Sequence, residues 1–378
     1  MYTYEVDPQA MFDDRAHQFE GFGIPNSDIE RVRAAVTDMW ADAPGGWSYE
    51  WSALAESYAR AGNHGLAAYA YGCAHFPCLN TDARVRALGK QIEHFELAAK
   101  DFPVRFERRI LAVAYRGGEI EVPVHVYSVD GDYPARPVLV AHGGVDTFKM
   151  DFHPFCLAFT LHAGVTIVAV DMPGTGESPV PLDAAGDQMI AGIVNFARSI
   201  GDGRVAHFGM SFGGNFSAMS GLTGLVDAAV DLGGPVLGAF TVAHGSSLPY
   251  GMRDIIGNHA PRPSTDRRGS RCSHERPLSR ESSVPEPQFT DVGDQWRRRL
   301  FRAAVRHAGL RGATRHRGPP DGAHRSLRDV EVDRGGRHGQ RVAAHAVRIV
   351  DAAVSALRWA PAGSRRDATD LDVVRTPR

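Results

Sequence analysis

The sequence predicts an α/β fold, with a mixed, mostly parallel sheet behind an N-terminal helical segment. Three observations predict it. Apolar residues over 1–102 recur with helical period, the pattern switches to period two at Phe102, and from Pro137 short apolar runs alternate with helix-compatible stretches. A hairpin followed by alternating strands and helices gives a sheet that turns parallel after its first strands.

In the helical segment, Ser27-Asp28-Ile29-Glu30 has capping-box spacing and predicts a helix start at Ser27. Ile29, Val32, Val36 and Met39 follow as one apolar stripe. Further helices are expected from about Tyr49 to Ala61, from Leu66 to about His75 before Phe76-Pro77, and from near Asn80-Thr81-Asp82 to about Lys100. No copy recurs at a fixed period. Trp40, Trp47, Trp51, Tyr58, Tyr69 and Tyr71 read as core, with pocket lining the alternative for some. Residues 1–102 are expected to cover a pocket mouth, because Trp47 and Trp51 lie in a segment too apolar to stand free.

Strands are expected from Val104 to Val113 and from Ile120 to Tyr127, around the hairpin signal Arg116-Gly117-Gly118-Glu119. Buried-strand runs follow at Pro137–Ala141, Val165–Val170, Val205–Phe208 and Ala228–Leu232. Helix-compatible stretches separate them at Phe155–His162, Met189–Ile200 and Asn215–Leu225. The division expected is a helical cap over 1–102, a core over 103–258 and an Arg-rich tail over 259–378.

An apolar fraction of 43% in 378 residues supports a sizeable packed core. Cys73 and Cys78, with His75 between them, lack the second half-site of a zinc centre, so buried free thiols in a reducing compartment are expected. The acidic start MYTYEVDPQAMFDDR has no apolar signal core, and no apolar run reaches the ~20 residues that span a bilayer. A cytoplasmic protein is the expectation.

Gly209-Met210-Ser211-Phe212-Gly213 matches G-x-S-x-G, with the run Val205–Phe208 leading in and a helix-compatible run leading out. A strand turning sharply into a helix lifts the Ser211 hydroxyl from the sheet and sets it at a helix N-terminus, where partial positive charge favours an oxyanion. Ser211 is therefore the expected nucleophile. His142-Gly143-Gly144-Val145-Asp146 ends the run Val138–Ala141, where such folds place one backbone donor of the oxyanion hole. Gly144 is the expected loop donor, with Val145 second, and Phe212 supplies the other N–H. His142 precedes the nucleophile at a strand end, which favours a loop-shaping role over that of a base. Asp171-Met172-Pro173-Gly174-Thr175-Gly176-Glu177-Ser178 lacks the full dinucleotide fingerprint, since Pro179 holds its last position. It reads instead as the D-x-P-G-x-G-x-S turn that follows the fourth strand in α/β-hydrolases.

These motifs, with Trp40–Trp47, Phe76-Pro77-Cys78 and Leu248-Pro249-Tyr250-Gly251-Met252, make Phe22–Asn258 resemble the FrsA-type esterases and their relatives. Among those relatives are the dihydroxypseudooxynicotine hydrolases and fungal pigment hydrolases that shorten a heptaketide. The resemblance implies an α/β-hydrolase fold, a helical segment helping to cover the active site, a Ser-His-Asp triad and no cofactor or metal. It implies a substrate that is an ester, or a polyketide-like ketone whose neighbouring C–C bond is cleaved by water. The C–C-cleaving members use an additional Glu shortly past the nucleophile. Gly238–Gly251 contains no Glu, and His244 is the only side chain there that titrates near neutral pH.

The triad needs an imidazole to take the Ser211 proton and a carboxylate to orient it. Asp291, Asp294, Asp321, Asp329 and Asp333 follow, but none ends a clean β run. His324 is the best-placed base, and Asp231, at the end of Ala228–Leu232, is an alternative acid. The leading function is thus a serine hydrolase with a small-molecule substrate, no membrane partner and a homodimer left open. The competing function is a catalytically dead hydrolase-fold binding protein with a basic tail. The tail's scarce aromatics and lack of an arginine stripe argue against nucleic acid.

Residues 1–258 carry 17 Lys+Arg against 30 Asp+Glu; residues 259–378 carry 25 Arg, no Lys and 14 Asp+Glu. The last Met is Met252 and the last Tyr is Tyr250. A shifted reading frame in GC-rich DNA turns ordinary codons into Arg, Gly, Pro, Ala and His, the composition seen from Pro261 to Arg348. We read the segment from about residue 259 as frame-shifted, with a genuine disordered basic tail as the alternative. A tail with so many guanidiniums cannot complete a buried sheet, so the shift leaves the chain inactive or poorly folded as encoded. Sequencing the DNA around codon 258 should reveal another frame encoding two apolar strands that end in an Asp and a His. The same frame read again without error, or full esterase activity from this tail-bearing chain, would refute the shift.

Overall fold

The computed structural model describes residues 3–235 and 252–259. Its helical segment opens with α1 (Pro8–Gly21), a helix that starts on strong local chemistry. The Asp7 carboxylate accepts the Gln9 N–H at 2.9 Å, and Pro8 occupies the first turn, where its missing N–H costs nothing. Helix α2 (Asn26–Ala35) begins one residue before the expected start. Pro25, at φ −59°, carries the chain into the helix, so Ser27 falls inside the first turn and no side chain caps it. The helix also stops early: Val36 turns extended and Met39 lies beyond it, although both are buried. Helices α3 (Trp47–Arg60), α4 (His64–His75) and α5 (Asp82–Ala98) follow within two residues of expectation. Asn63 caps α4 through the Leu66 N–H at 3.1 Å.

Trp47 and Trp51 are fully buried. They pack with Phe12 and Phe19 of α1, the Phe12 and Trp47 rings 4.6 Å apart, and Trp47 Nε1 donates to the Cys73 carbonyl at 2.7 Å. The aromatics expected as core hold the helical segment to itself. Cys73 and Cys78 are buried free thiols, and burial pushes Cys73 up. His75, between them, bonds Gln91 at 2.8 Å.

The sheet contains β1 (Arg105–Tyr115), β2 (Gly118–Ser128), β3 (Val138–His142), β4 (Thr166–Val170), β5 (Val205–Met210) and β6 (Ala228–Leu232), in the order β1-β2-β4-β3-β5-β6. Arg116 and Gly117 join β1 to β2 with φ of 49° and 79°. Two left-handed residues are what a two-residue hairpin needs to match the strand twist. β2 pairs antiparallel with β1 and β4; every later pairing is parallel. Helices α6 (His153–Ala163), α7 (Gly186–Ile200), α8 (Gly213–Leu222) and α9 (Met252–His259) accompany the sheet. β3, β4 and β5 are buried along nearly their whole length, which is why they read as continuous apolar runs.

Two polar clasps tie the loop after β3 to its surroundings. Lys149, fully buried, donates to Asp171 at 2.6 Å and to Glu177 at 2.5 Å, while Arg108 on β1 grips Glu177 with bonds of 2.9 and 2.7 Å. Burial alone would raise the Glu177 carboxyl; Lys149 and Arg108 hold it below its ordinary value. Nearby, Gln91 of α5 donates to Asp151 at 2.7 Å, so the helical segment is bonded to the same loop.

His125, His142, His153 and His207 are all buried among strands and helices, and burial pushes each of them down, His142 to about 4 and His153 to about 3. A neutral buried ring that charges only on unfolding costs nothing above its unfolded pKa near 6.5. Below that pH the unfolded chain binds protons the folded chain refuses. Stability should therefore be flat above pH 7 and fall as pH drops from about 6.5 towards 4, by about 3 kcal/mol for His142 alone. Urea midpoints measured from pH 7.5 to 5 check this; a midpoint that rises on acidification contradicts it.

Candidate active site

β5 ends in the glycine-flanked turn, and Ser211 sits at its apex with φ +54°, left-handed backbone that a non-glycine residue adopts at a cost. Two anchors hold the turn: the Ser211 N–H donates to the Leu232 carbonyl on β6 at 2.9 Å, and the Gly214 N–H donates back to the Ser211 carbonyl at 2.9 Å. Phe212 follows as the N-cap of α8. The flanking glycines are sterically required. A Cβ on Gly209 would fall 2.2 Å from the Gly213 carbonyl oxygen, and one on Gly213 would fall 2.2 Å from that of Gly143.

The loop after β3 lies directly against this apex. A Cβ on Gly144 would come within 2.7 Å of Ser211 Cβ and 2.9 Å of its Oγ, so only glycine lets the loop backbone approach the hydroxyl. Gly144, Ser211 and Phe212, expected to act together from sequence, are brought together. The Gly144 N–H makes no hydrogen bond among the described residues.

His142 is fully buried, and both ring nitrogens are engaged: Nδ1 with the Gly143 carbonyl at 3.1 Å and Nε2 with His207 Nε2 at 2.8 Å. Neither is left to take a proton from Ser211. Asp231 accepts the Gly234 N–H at 2.6 Å, burial raises its pKa, and no histidine bonds to it among the described residues. The Asp171 turn is spent on the Lys149 clasp, its carboxylate accepting the Lys149 and Glu177 N–H groups at 2.6 and 2.9 Å. His324, His244, Asp291, Asp294, Asp321, Asp329 and Asp333 lie outside the described residues, as does Leu248–Gly251.

A cavity of about 410 Å³ opens at Ser211. Phe152, Phe155, Met210 and Met252 contribute apolar wall, and Arg15, Gln18 and Phe22, on or just after α1, close one side. Arg15 donates to Asp146 at 2.7 Å, and its guanidinium lies 5.0 Å from the centre of the Phe76 ring. The wall supplied by α1 was missed by sequence reasoning, although Asp7-Pro8 and the apolar Met11, Phe12 and Phe19 were there to signal the helix. Lys149 was missed too, since a lysine within a loop gives no local sign of burial.

A family model described as esterase FrsA-like matches residues 24–251. Esterase FrsA of Salmonella typhi is 28% identical over 188 residues, which are 46% of this chain and 42% of that protein, so the chain spans well under half of its curated relative. The solved structure titled AbyA5 Wildtype is 24% identical with a TM-score of 0.55, covering 62% of this chain and 66% of that one. A second AbyA5 structure is 21% identical with the same TM-score, covering 71% and 72%. These two structures share the fold. With a match over more than half its length, the chain belongs to the FrsA-like esterase family.

Proposed function

We propose that the protein is a serine hydrolase in which Ser211 attacks the carbonyl carbon of an ester. The observation that carries this reading is the left-handed Ser211 with its hydroxyl against the Gly144 backbone. Ser211 Oγ bonds to the carbonyl carbon and gives its proton to an imidazole, while the carbonyl oxygen takes the negative charge. The N–H groups of Gly144 and Phe212 receive that charge, the alcohol leaves with the proton, and water then releases the acid from Ser211. Cleavage of a C–C bond beside a ketone, in a polyketide-like substrate, is the alternative chemistry. The absence of Glu from Gly238–Gly251 favours the ester.

The base and acid fall past Asn258 in this reading, with His324 the candidate base in the frame as encoded. The family match stops at residue 251, a few residues before the composition breaks, which supports a shifted frame beyond it. The helical segment acts as a cap, with Arg15 and Gln18 of α1 and Phe22 just after it facing the substrate across from Ser211.

In a chain with the reading frame restored, Ser211→Ala should lower kcat on p-nitrophenyl esters by at least about a thousandfold with the fold retained. A fluorophosphonate probe should add its mass to the peptide holding Ser211. Undiminished hydrolysis by the alanine variant would end the serine-hydrolase reading.

A further inference from the structure

Beneath the oxyanion loop runs a line of polar groups that the triad chemistry does not use. Ser220 Oγ on α8 lies 2.8 Å from His207 Nδ1 on β5, His207 Nε2 lies 2.8 Å from His142 Nε2 on β3, and His142 Nδ1 lies 3.1 Å from the Gly143 carbonyl oxygen. His142, His207 and Ser220 are all buried. The line ends on a carbonyl at each side, Gly143 beyond His142 and Phe216 beyond Ser220, so it can run in either direction. When it serves the Gly143 end, His142 Nδ1 carries the proton, because a carbonyl oxygen only accepts. Burial keeps the ring neutral, which leaves His142 Nε2 a bare acceptor and requires the proton between the rings to sit on His207 Nε2. His207 Nδ1 is then bare and accepts from the Ser220 hydroxyl. In this direction the hydroxyl's single proton serves the ring, and the 3.0 Å bond that it could donate to the Phe216 carbonyl goes unmade.

We propose that Ser220, His207 and His142 are positioning residues that form a one-way hydrogen-bond relay, fixing the Gly143 carbonyl and so aiming the Gly144 N–H for catalysis. The link is the peptide plane. In a trans peptide the C=O and the following N–H point in opposite directions. Holding the Gly143 oxygen against His142 and Gly213 turns the Gly144 N–H to the other side, and Gly144 is the residue that touches Ser211. Without the relay this glycine-rich loop can rotate the peptide and withdraw the donor. The catalytic half of the proposal rests on the serine-hydrolase reading; the relay itself does not.

The test separates the two. Nitrogen-15 NMR of the full chain labelled at histidine should show both rings neutral at pH 7, His142 protonated at Nδ1 and His207 at Nε2. Ser220→Ala, a mild change, should move the His207 Nδ1 resonance towards that of a nitrogen without a hydrogen-bond donor and leave both rings neutral. His142 protonated at Nε2 instead would overturn the relay, whatever the chain does to esters. In the frame-restored chain, His207→Phe should lower kcat about ten- to a hundredfold with KM little changed, the signature of a lost transition-state contact. His207→Gln, whose amide can donate to His142 Nε2, should recover much of that loss. Equal kcat in the wild type and His207→Phe would overturn the catalytic role. A frame-restored chain with the expected tautomers but no turnover would sink the hydrolase reading and, with it, the catalytic half of the proposal, leaving the relay as a structural feature.

Discussion

Lys149 has no solvent contact, and an ammonium stripped of water stays charged only if carboxylates replace its hydration shell. Asp171 and Glu177 do so from the turn after β4, and Arg108 on β1 balances the second carboxylate. A buried ion group of this kind is weak as a source of net stability, because desolvation consumes most of the attraction. Its value is geometric. It locks the loop after β3, the turn after β4 and the first hairpin into one body, and that loop is the one whose backbone reaches Ser211. Removing Lys149 leaves Asp171 a buried carboxylate without its bonded cation, a cost of about 3–5 kcal/mol.

The apex at Ser211 depends on that body. A left-handed serine persists only where its surroundings over-determine it, and here β6 takes its N–H while α8 returns a bond to its carbonyl. Three backbones then converge, from Gly144, Gly209 and Gly213, at distances no side chain allows. The same crowding that strains the serine brings the Gly144 backbone beside its hydroxyl. Strain and pre-organisation are one feature of this site.

The strands were legible because β3, β4 and β5 are buried on both faces, which leaves continuous apolar runs too short for a helix and, in β3 and β4, rich in β-branched residues. The elbow and its glycines were legible because sterics allow few residues there. Helix ends were less so: at α2 the fixed backbone of Pro25 overrode the capping chemistry of Ser27. Contacts between distant segments left no trace at all. Arg15 and Asp146 are 131 residues apart, and His142 and His207 are 65 apart. Each reads alone as an ordinary charged or buried residue; only the fold makes them a pair.

The helical segment also forms one wall of the cavity at Ser211. Its aromatic core, built on Trp47, Trp51, Phe12 and Phe19, is self-contained and leaves the opposite side of α1 free to face the cavity. Arg15 on that face is already bonded to Asp146, so it offers a neutralised polar surface in a mostly apolar pocket. A free carboxylate entering there would have to displace Asp146 from the guanidinium. α1 is also bonded to the loop after β3, since Asp146 stands two residues past Gly144, so a change at Arg15 reaches the backbone beside Ser211 as well as the cavity wall.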